Sequence, residues 1–344
     1  MKTIIIGNDP RELWMHASAW TRCGSATIQG ICAGPAGDAL SQHFGCGNIE
    51  SRQDVPGWDT AEIFDILDST PEKHELALEA LAAGRSVLIS PPFARSSGEA
   101  KELSAAAKKS SGILMCFENR LFFPPMRKVL ELCEKRSVGR VSAVRMKSLI
   151  AGAGGWDEYL NPEFRNLFPD IDTAPRPDPG IKHRELYEKI SAAVRLFGPL
   201  AEIFCLDGAS GAEGTLVATW KHRAPATYGA LDVIFAPEMD IRSPYYPRDD
   251  NMELTGGSGL VWLTKECSQM RAEPTVRVYR GENMFSYGNL EDDWLRGYEM
   301  AAGHFVECIT QQKSPAVSVA HSVEVSHFAE TALRSAEEGE RLGV

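Results

Sequence analysis

The stretch Ser69–Ala94, "STPEKHELALEALAAGRSVLISPPFA", joins a helical pattern to a short apolar run. The helical part, "HELALEALAAG", is followed by "SVLIS", and an earlier apolar run, "AEIFDILDST", precedes the helix. A strand, a helix and a second strand in this order form a right-handed βαβ unit with parallel strands. The second run stops in Ser90, Pro91 and Pro92, and prolines end a strand because they lack a backbone donor.

The same alternation runs from Thr3 to about Ser148. Apolar runs such as "TIIIG", "ATIQGICAG" and "GILMCFENR" are separated by helical segments such as Pro10 to Thr21 and "SGEAKELSAAAKKS". This spacing predicts a doubly wound parallel sheet of the Rossmann type. We assign this nucleotide-binding-like domain to residues 1–122.

Residues 123–344 have a different pattern. After the helix "PMRKVLELCEKRS", the chain turns to β-rich runs, including "RVSAVRMKSLI", "TLVATWKHR" and "GLVWLTK". Strands without intervening helices indicate a large, mostly antiparallel open sheet with one covered face. A helix is predicted at Lys182–Phe197, and two helices within residues 292–341 are expected to pack back towards the first domain. The predicted fold class is therefore an α/β domain followed by an α+β domain with a large open sheet and flanking helices.

Composition narrows the class of protein. The chain has 344 residues, 43% of them hydrophobic, and a net charge of -11. Dispersed negative charge repels nucleic acid and anionic membranes, so neither is expected as a partner. The chain shows no signal-peptide pattern and no apolar run long enough to span a bilayer, so a cytoplasmic location is expected. The histidines and cysteines lack metal-ligand spacing, which predicts no metal site.

Four parts of the chain resemble the glucose-fructose oxidoreductase / inositol dehydrogenase (Gfo/Idh/MocA) superfamily. Ser69–Ala94 is similar to its T-P-x-x-x-H stretch, A-G-K-H-V-L strand and E-K-P tripeptide, and "FENRLFFPPMRKVLELCEKRSVGRV" resembles its N-x-R-x-x-P helix followed by G-x-I-G-x-V. "MELTGGSGLVWL" and the C-terminal helices are similar to its E-I-x-G-T-x-G turn and closing helices.

This resemblance implies an oxidoreductase that binds NAD or NADP in its first domain and acts on a sugar, a polyol or a related small molecule. The cofactor-binding positions that it implies are Gly7, Asn8, Ser69, Thr70, Pro71, His74, Pro91 and Asn119.

Two cofactor motifs depart from the pattern of the superfamily. In the first turn, "GNDPRELWMH", only Gly7 matches G-x-G-x-x-G, and Asp9 and Glu12 stand at or near the other glycines. These residues also describe an ordinary capped helix, with Asp9 as N-cap and Glu12 completing a capping box. The second strand ends in "AG" (33–34), where relatives carry a ribose-binding side chain.

Two catalytic motifs depart as well. Pro91 stands where the resemblance places a lysine, and proline has no titratable proton. On the helix "GIKHRELYEKISAAVRLFGPL", Glu188 corresponds to the catalytic histidine and Arg184 to the aspartate, with Tyr187 beside them. Arg184 and Glu188 lie one turn apart, so they form either an ordinary i,i+4 ion pair or a repurposed acid-base site.

Residues that support the fold are kept where residues for redox chemistry have changed. One hypothesis is a pseudo-oxidoreductase that no longer uses NAD(P) in the standard way and binds a small polar ligand, runs a non-redox reaction or serves as a partner subunit. The alternative is an NAD(P)-dependent oxidoreductase of a sugar or polyol, with Glu188 or Tyr187 as proton carrier. The sequence leaves open whether NAD, NADP or no cofactor binds, and whether the protein is an enzyme.

Candidate ligand contacts lie in two other regions. Arg120 is a candidate clamp for a carboxylate or phosphate. Trp156, in a loop rich in Gly, Pro and Asp, and Tyr245 could close over a polar ring, although aromatic residues at an oligomer interface would have the same pattern. The open face of the second sheet is expected to form a homodimer or homotetramer.

Overall fold

The computed structural model describes residues 1–49, 60–70, 72–174, 179–208, 215–224, 227–267 and 273–344. The chain divides into two compact units. Unit 1 contains Met1–Phe122 and Leu295–His327, and unit 2 contains Phe123–Trp294 and Phe328–Val344.

Unit 1 contains a parallel six-stranded sheet with the order β3-β2-β1-β4-β5-β6 among the described residues. This order is that of a dinucleotide-binding Rossmann sheet. The strands are β1 (Lys2–Ile6), β2 (Thr27–Cys32), β3 (Gly47–Asn48), β4 (Ile63–Ile66), β5 (Ser86–Ile89) and β6 (Leu114–Cys116). The helices that follow them up to residue 122 are α1 (Pro10–Cys23), α2 (Gly37–Phe44), α3 (Lys73–Ala82), α4 (Ser97–Ala107) and α5 (Asn119–Phe122).

Helix α1 packs on the sheet through a buried polar contact. His16 Nδ1 lies 2.8 Å from Asp65 Oδ2 on β4, and Trp20 Nε1 donates to the same oxygen at 2.7 Å. The imidazole also packs on Phe117 and on Tyr298, with ring centroids 4.4 and 5.4 Å apart. Tyr298 lies in the segment 295–327, which the sequence assigned to the second domain and which the structure groups with residues 1–122.

Unit 2 contains a mixed nine-stranded sheet with the order β14-β13-β12-β11-β7-β10-β9-β8-β15 in the described part of the chain. Neighbouring strands are antiparallel except β7 and β10, which run parallel. The strands are β7 (Val141–Ala153), β8 (Leu200–Asp207), β9 (Leu216–His222), β10 (Tyr228–Asp240), β11 (Arg248–Gly256), β12 (Gly259–Leu263), β13 (Val276–Arg280), β14 (Asn283–Tyr287) and β15 (Leu342–Gly343).

The remaining helices are α6 (Pro124–Glu134), α7 (Pro162–Leu167), α8 (Pro179–Phe197), α9 (Trp294–Gln311) and α10 (Val319–Glu338). Burial alternates along β9 and β10, so that one face of the sheet is covered and the other is open. The predicted fold class, a Rossmann-type sheet plus a mostly antiparallel open sheet, is confirmed.

Candidate functional site

The first turn of unit 1 joins β1 to α1 and directs two backbone amides at one oxygen. Asn8 N and Asp9 N donate to Ser69 Oγ at 2.9 and 3.1 Å. Gly7 leaves little space beside them, because an added Cβ there would lie 3.0 Å from the Leu67 side chain and 3.1 Å from Ser69 Oγ, and these side chains would have to shift by a few tenths of an ångström. The structure thus brings Gly7, Asn8 and Ser69 together at the carboxyl end of the parallel sheet.

Asp9 and Glu12 carry the negative charge of this turn. Asp9 is the N-cap of α1 and accepts from Arg11 N at 2.8 Å, while the Arg11 guanidinium pairs with its carboxylate at 2.7 Å. Glu12 is only 8% exposed, and its carboxylate accepts from Ser69 N at 3.2 Å. The N-cap prediction is confirmed. The capping box does not form, because the Asp9 amide donates to Ser69 Oγ and the Glu12 carboxylate accepts from Ser69 N, after β4, instead of from Asp9 N.

Thr70 and His74 lie on either side of a residue, Pro71, that is outside the described part of the chain. The buried Thr70 hydroxyl donates to Ile6 O at 3.0 Å and so joins the chain after β4 to β1. His74 Nε2 lies 3.0 Å from Glu102 Oε2 on α4. His74 therefore contacts a neighbouring helix in this structure.

Lys73, the first residue of α3, is buried beside the end of β5, and the sequence analysis did not identify it. Lys73 Nζ donates to Asp68 Oδ1 and to Pro92 O, both at 2.7 Å, and lies 3.4 Å from Ser90 O. Asp68 N in turn donates to Ser90 Oγ at 2.6 Å. An ammonium group thus reaches the Ser90–Pro92 turn from helix α3. Nothing in the pattern "TPEKHE" separates this buried lysine from a solvated one at a helix start.

The other candidates of unit 1 lie inside the fold. Pro91, Asn119 and Arg120 are all buried. Asn119 is the first residue of α5, and its Nδ2 has no hydrogen-bond partner among the described residues. Arg120 is only 3% exposed, and its role as an anion clamp stays a prediction.

In unit 2, the candidate residues of α8 differ in burial. Arg184 and Glu188 are half-buried, whereas Tyr187 is fully buried. Glu185 and Lys189, which directly follow Arg184 and Glu188 in the chain, are also buried. They belong to a charged cluster that the sequence analysis did not identify. Its signal was the pair of opposite charges Glu185 and Lys189, which stand four positions apart in the helical run and so share one helix face.

The buried charged cluster connects α8 with β7 and β11. Lys189 Nζ lies 2.7 Å from Asp250 Oδ2, 3.8 Å from Glu266 Oε2 and 4.0 Å from Glu185 Oε2. Arg248 Nη2 bridges Glu185 at 2.6 Å and Asp250 at 2.8 Å. Burial acts to lower the pKa of Arg248, but Asp250 and Glu185 raise it well above its ordinary value. Arg248 therefore stays charged.

The aromatic candidates Trp156 and Tyr245 form part of the packing of their loop. Trp156 is fully buried, with its ring 4.1 Å from that of Phe164 and 5.9 Å from that of Tyr245. The Tyr245 hydroxyl donates to Asp293 Oδ1 at 2.7 Å. In this structure neither ring is open to a ligand, because each is packed against neighbours of unit 2.

Next to this aromatic core lies a cleft of about 1020 Å³ within unit 2. Its wall consists of the glycine-rich end of β7 and the segment through α7 to Ala174. Tyr159, a residue of its rim, is 78% exposed. We call this feature the loop cleft. Among the described residues, no group of three His, Cys, Asp or Glu side chains is placed to hold a metal ion.

Comparisons with known proteins agree with this architecture. No protein-family model matches the sequence, and no curated protein matches it. An oxidoreductase from Agrobacterium radiobacter, solved with NAD+, L-tartaric acid and magnesium, superposes with a TM-score of 0.74 at 16% identity over 100% of this chain and 98% of its own. Levoglucosan dehydrogenase in complex with NADH superposes with a TM-score of 0.76 at 16% sequence identity, and the match covers 100% of this chain and 99% of that protein. GenD2 from gentamicin A biosynthesis, in complex with NAD, superposes with a TM-score of 0.75 at 18% sequence identity, and the match covers 100% of this chain and 96% of that protein.

The chain therefore has the fold of oxidoreductases of the Gfo/Idh/MocA type over its full length. At these identities the likeness establishes the fold, and the chemistry has to be argued from the site. Across the described residues, no helix has the length and hydrophobicity to cross a membrane.

Proposed function

We propose that this protein is an NAD(P)-dependent oxidoreductase of a small polyhydroxylated molecule. The observation that carries the proposal is the first turn, where Asn8 N and Asp9 N point at one oxygen acceptor at the start of α1. In a parallel sheet of this order, that turn is where a dinucleotide pyrophosphate binds, held by backbone amides and the helix dipole. Proteins of the same fold are solved with NAD, NADH and sugar-type molecules.

The residues of the turn fit a phosphate oxygen once the Ser69 hydroxyl rotates away. The amides already converge on an oxygen, and the charge of Asp9 is compensated by Arg11. Glu12 opposes the proposal, since a second negative charge at about 4 Å costs up to about 4 kcal/mol at surface-like dielectric. Cofactor binding is therefore expected to be weaker than in a glycine-rich turn.

Glu188 is the best candidate to carry the proton of the reaction. A bound nicotinamide supplies the hydride acceptor for oxidation of an alcohol. The protein has to take up the hydroxyl proton, and Glu188 offers a half-buried carboxylate on α8 within electrostatic range of Arg248. Tyr187 is fully buried and is less suited to this role.

The test is a titration of the purified protein with NADH and NADPH, followed by nicotinamide fluorescence and by thermal shift. Saturable binding with a rise in melting temperature that grows with cofactor concentration supports the proposal. A screen of sugars and polyols for nicotinamide reduction follows. Absence of binding up to millimolar cofactor overturns it.

A second candidate function is a ligand-binding protein or partner subunit without redox activity. Ser69 Oγ occupies the anion position in the first turn, the buried Glu12 carboxylate lies beside it and accepts from Ser69 N, and Pro91 replaces the lysine that the family resemblance implies. The double variant Ser69→Ala, Glu12→Gln separates the two candidates. If only this variant binds NADH, the wild-type turn is closed and the second function is favoured.

We also propose a second copy of this chain as the partner of the open sheet face. A two-fold interface must complement itself, and this face carries both Arg145 and Glu253, paired across β7 and β11, together with the exposed ring of Tyr228. Light scattering after size exclusion measures the oligomeric state. A monomer at micromolar concentration overturns this proposal.

A further inference from the structure

The loop cleft has walls that are fixed before any ligand arrives. The Arg165 guanidinium donates through Nε to Trp156 O at 2.8 Å, through Nη1 to Ile171 O at 3.2 Å and through Nη2 to Thr173 Oγ1 at 3.3 Å. Thr173 Oγ1 in turn donates to Gly155 O at 3.3 Å. One side chain thus joins both sides of the loop, so little ordering entropy remains to be lost on binding.

The rim presents one aromatic ring in a fixed setting. Asp157 accepts from Tyr159 N at 2.9 Å and from Arg242 Nε at 2.8 Å, and the Arg242 guanidinium lies 5.9 Å from the centre of the Tyr159 ring. The Tyr159 ring itself stays 78% exposed. An exposed, positioned aromatic ring is a surface on which the C–H face of a sugar or cyclic polyol packs, with polar groups at its edge.

The charge of the cleft selects against anions. The polar lining residues that are exposed are Glu158, Asn166 and Asp172, and all three supply oxygen acceptors. Among the described lining residues the cation is Arg165, and three of its five N–H donors are already taken by Trp156 O, Ile171 O and Thr173 Oγ1. Arg242 at the rim is paired with Asp157, and this hydrogen bond holds the pKa of Asp157 below its ordinary value. Hydroxyl and ammonium donors are favoured here over carboxylates and phosphates.

We infer that the loop cleft is a binding site for a neutral or amino-substituted sugar or cyclic polyol, with Tyr159 as its stacking platform and Glu158, Asn166 and Asp172 as acceptors of its hydroxyl or ammonium groups. A volume of about 1020 Å³ accommodates one or two such rings. The inference rests on the proposed function for the general substrate class and narrows it, because the negative charge of the described lining residues disfavours sugar acids and sugar phosphates.

The experiment measures binding without any nicotinamide cofactor, so its result is independent of whether the protein is a dehydrogenase. Saturation-transfer NMR and calorimetry on the full chain compare glucose, myo-inositol, glucosamine and gluconate. We expect saturable binding of at least one of the first three and none of gluconate. Gluconate binding as tight as that of glucosamine overturns the charge argument, and absence of binding by all four overturns the site.

Variants place the ligand in the cleft. Tyr159→Ala is expected to weaken binding about two- to tenfold, whereas Tyr159→Phe keeps the ring and the affinity. Phe285→Ala is the matched control, since this aromatic ring is also exposed and has an arginine, Arg280, beside it, but lies outside the cleft. The pair Glu158→Gln and Asp172→Asn should admit gluconate, while Glu163→Gln should not. Equal affinity of Tyr159→Ala and wild type contradicts the proposal.

Discussion

Ser69 Oγ accepts a hydrogen bond from the backbone amide of Asn8 at 2.9 Å, in the turn where a Rossmann fold places its anion. The same hydroxyl accepts from Asp9 N, so one side chain satisfies both amides. In effect, the protein supplies its own oxygen to a position that a phosphate would use.

Replacing Ser69 by alanine should therefore tighten binding of NADH. The hydroxyl competes for amides that a phosphate oxygen needs, and one exchanged hydrogen bond is worth about 1 kcal/mol, which corresponds to about fivefold in affinity. Ser69→Thr keeps the hydroxyl and serves as control in the same fluorescence titration. Weaker binding by Ser69→Ala would mean that the hydroxyl contacts the cofactor and does not compete with it.

Glu188→Gln tests the proton carrier. If the carboxylate takes up the substrate proton, turnover should fall about 10²- to 10⁴-fold while NADH affinity is unchanged. Glu134→Gln, which removes an exposed carboxylate on α6, is the control. A variant with wild-type turnover would exclude Glu188 from the chemistry.

Lys189→Met should destabilise unit 2 strongly. Lys189 is buried among three carboxylates, and removing one partner of a buried ion network leaves uncompensated charge that costs about 3 to 5 kcal/mol. The free energy of unfolding in urea measures the effect. Lys135→Met breaks an exposed i,i+4 pair with Glu131 and should change the free energy of unfolding far less, because solvent screens this pair. Equal losses for the two variants would contradict the role of burial.

His222 should lower the free energy of unfolding in mild acid. Its Nδ1–H donates to Gly198 O at 2.7 Å and its Nε2 accepts from Trp220 Nε1 at 3.0 Å, which fixes the neutral ring. Burial lowers the pKa of His222 below its ordinary value of 6.5, although the bond to Gly198 raises it slightly. Below 6.5 the unfolded chain binds the proton first, so the stability present at higher pH is lost as pH falls from 6.5 towards the folded pKa.

The measurement compares urea unfolding of wild type and His222→Gln at neutral pH and at pH values below 6.5. Other histidines and carboxylates titrate equally in both proteins, so the difference isolates His222. We expect the wild type to lose more stability on acidification than the variant. A larger loss in the variant would reverse the assigned direction of the shift.

Much of the fold could be predicted because it is written in periodic patterns. The apolar run "SVLIS" and the helix before it gave β5 and α3 within a residue or two, since a buried parallel strand needs only its own apolar side chains. The parallel pairing of β7 with β10 could not be read in this way, because the two strands are distant in the chain and each has the same alternation as an antiparallel strand.

The candidate site was less predictable. Asp9 and Pro10 were identified as a helix start because capping is local, but Glu12 was placed in a capping box that long-range contact with Ser69 prevents. Trp156 was a candidate sugar contact because it is an aromatic residue in a glycine-rich loop. In the structure its ring is buried against Phe164 within that loop. The positions of Gly7, Asn8 and Ser69 as cofactor contacts stay predictions.

By itself, the sequence determined the two kinds of sheet, the approximate ends of the helices and the loss of the glycine-rich turn, because each depends on neighbouring residues and on local backbone preference. Only the tertiary structure decided that Ser69 fills the turn beside Asn8, that Lys73 reaches the Ser90–Pro92 turn and that Lys189 lies among three carboxylates. These contacts join residues far apart in the chain, and their charges are balanced only after the strands have brought them within a few ångströms of each other.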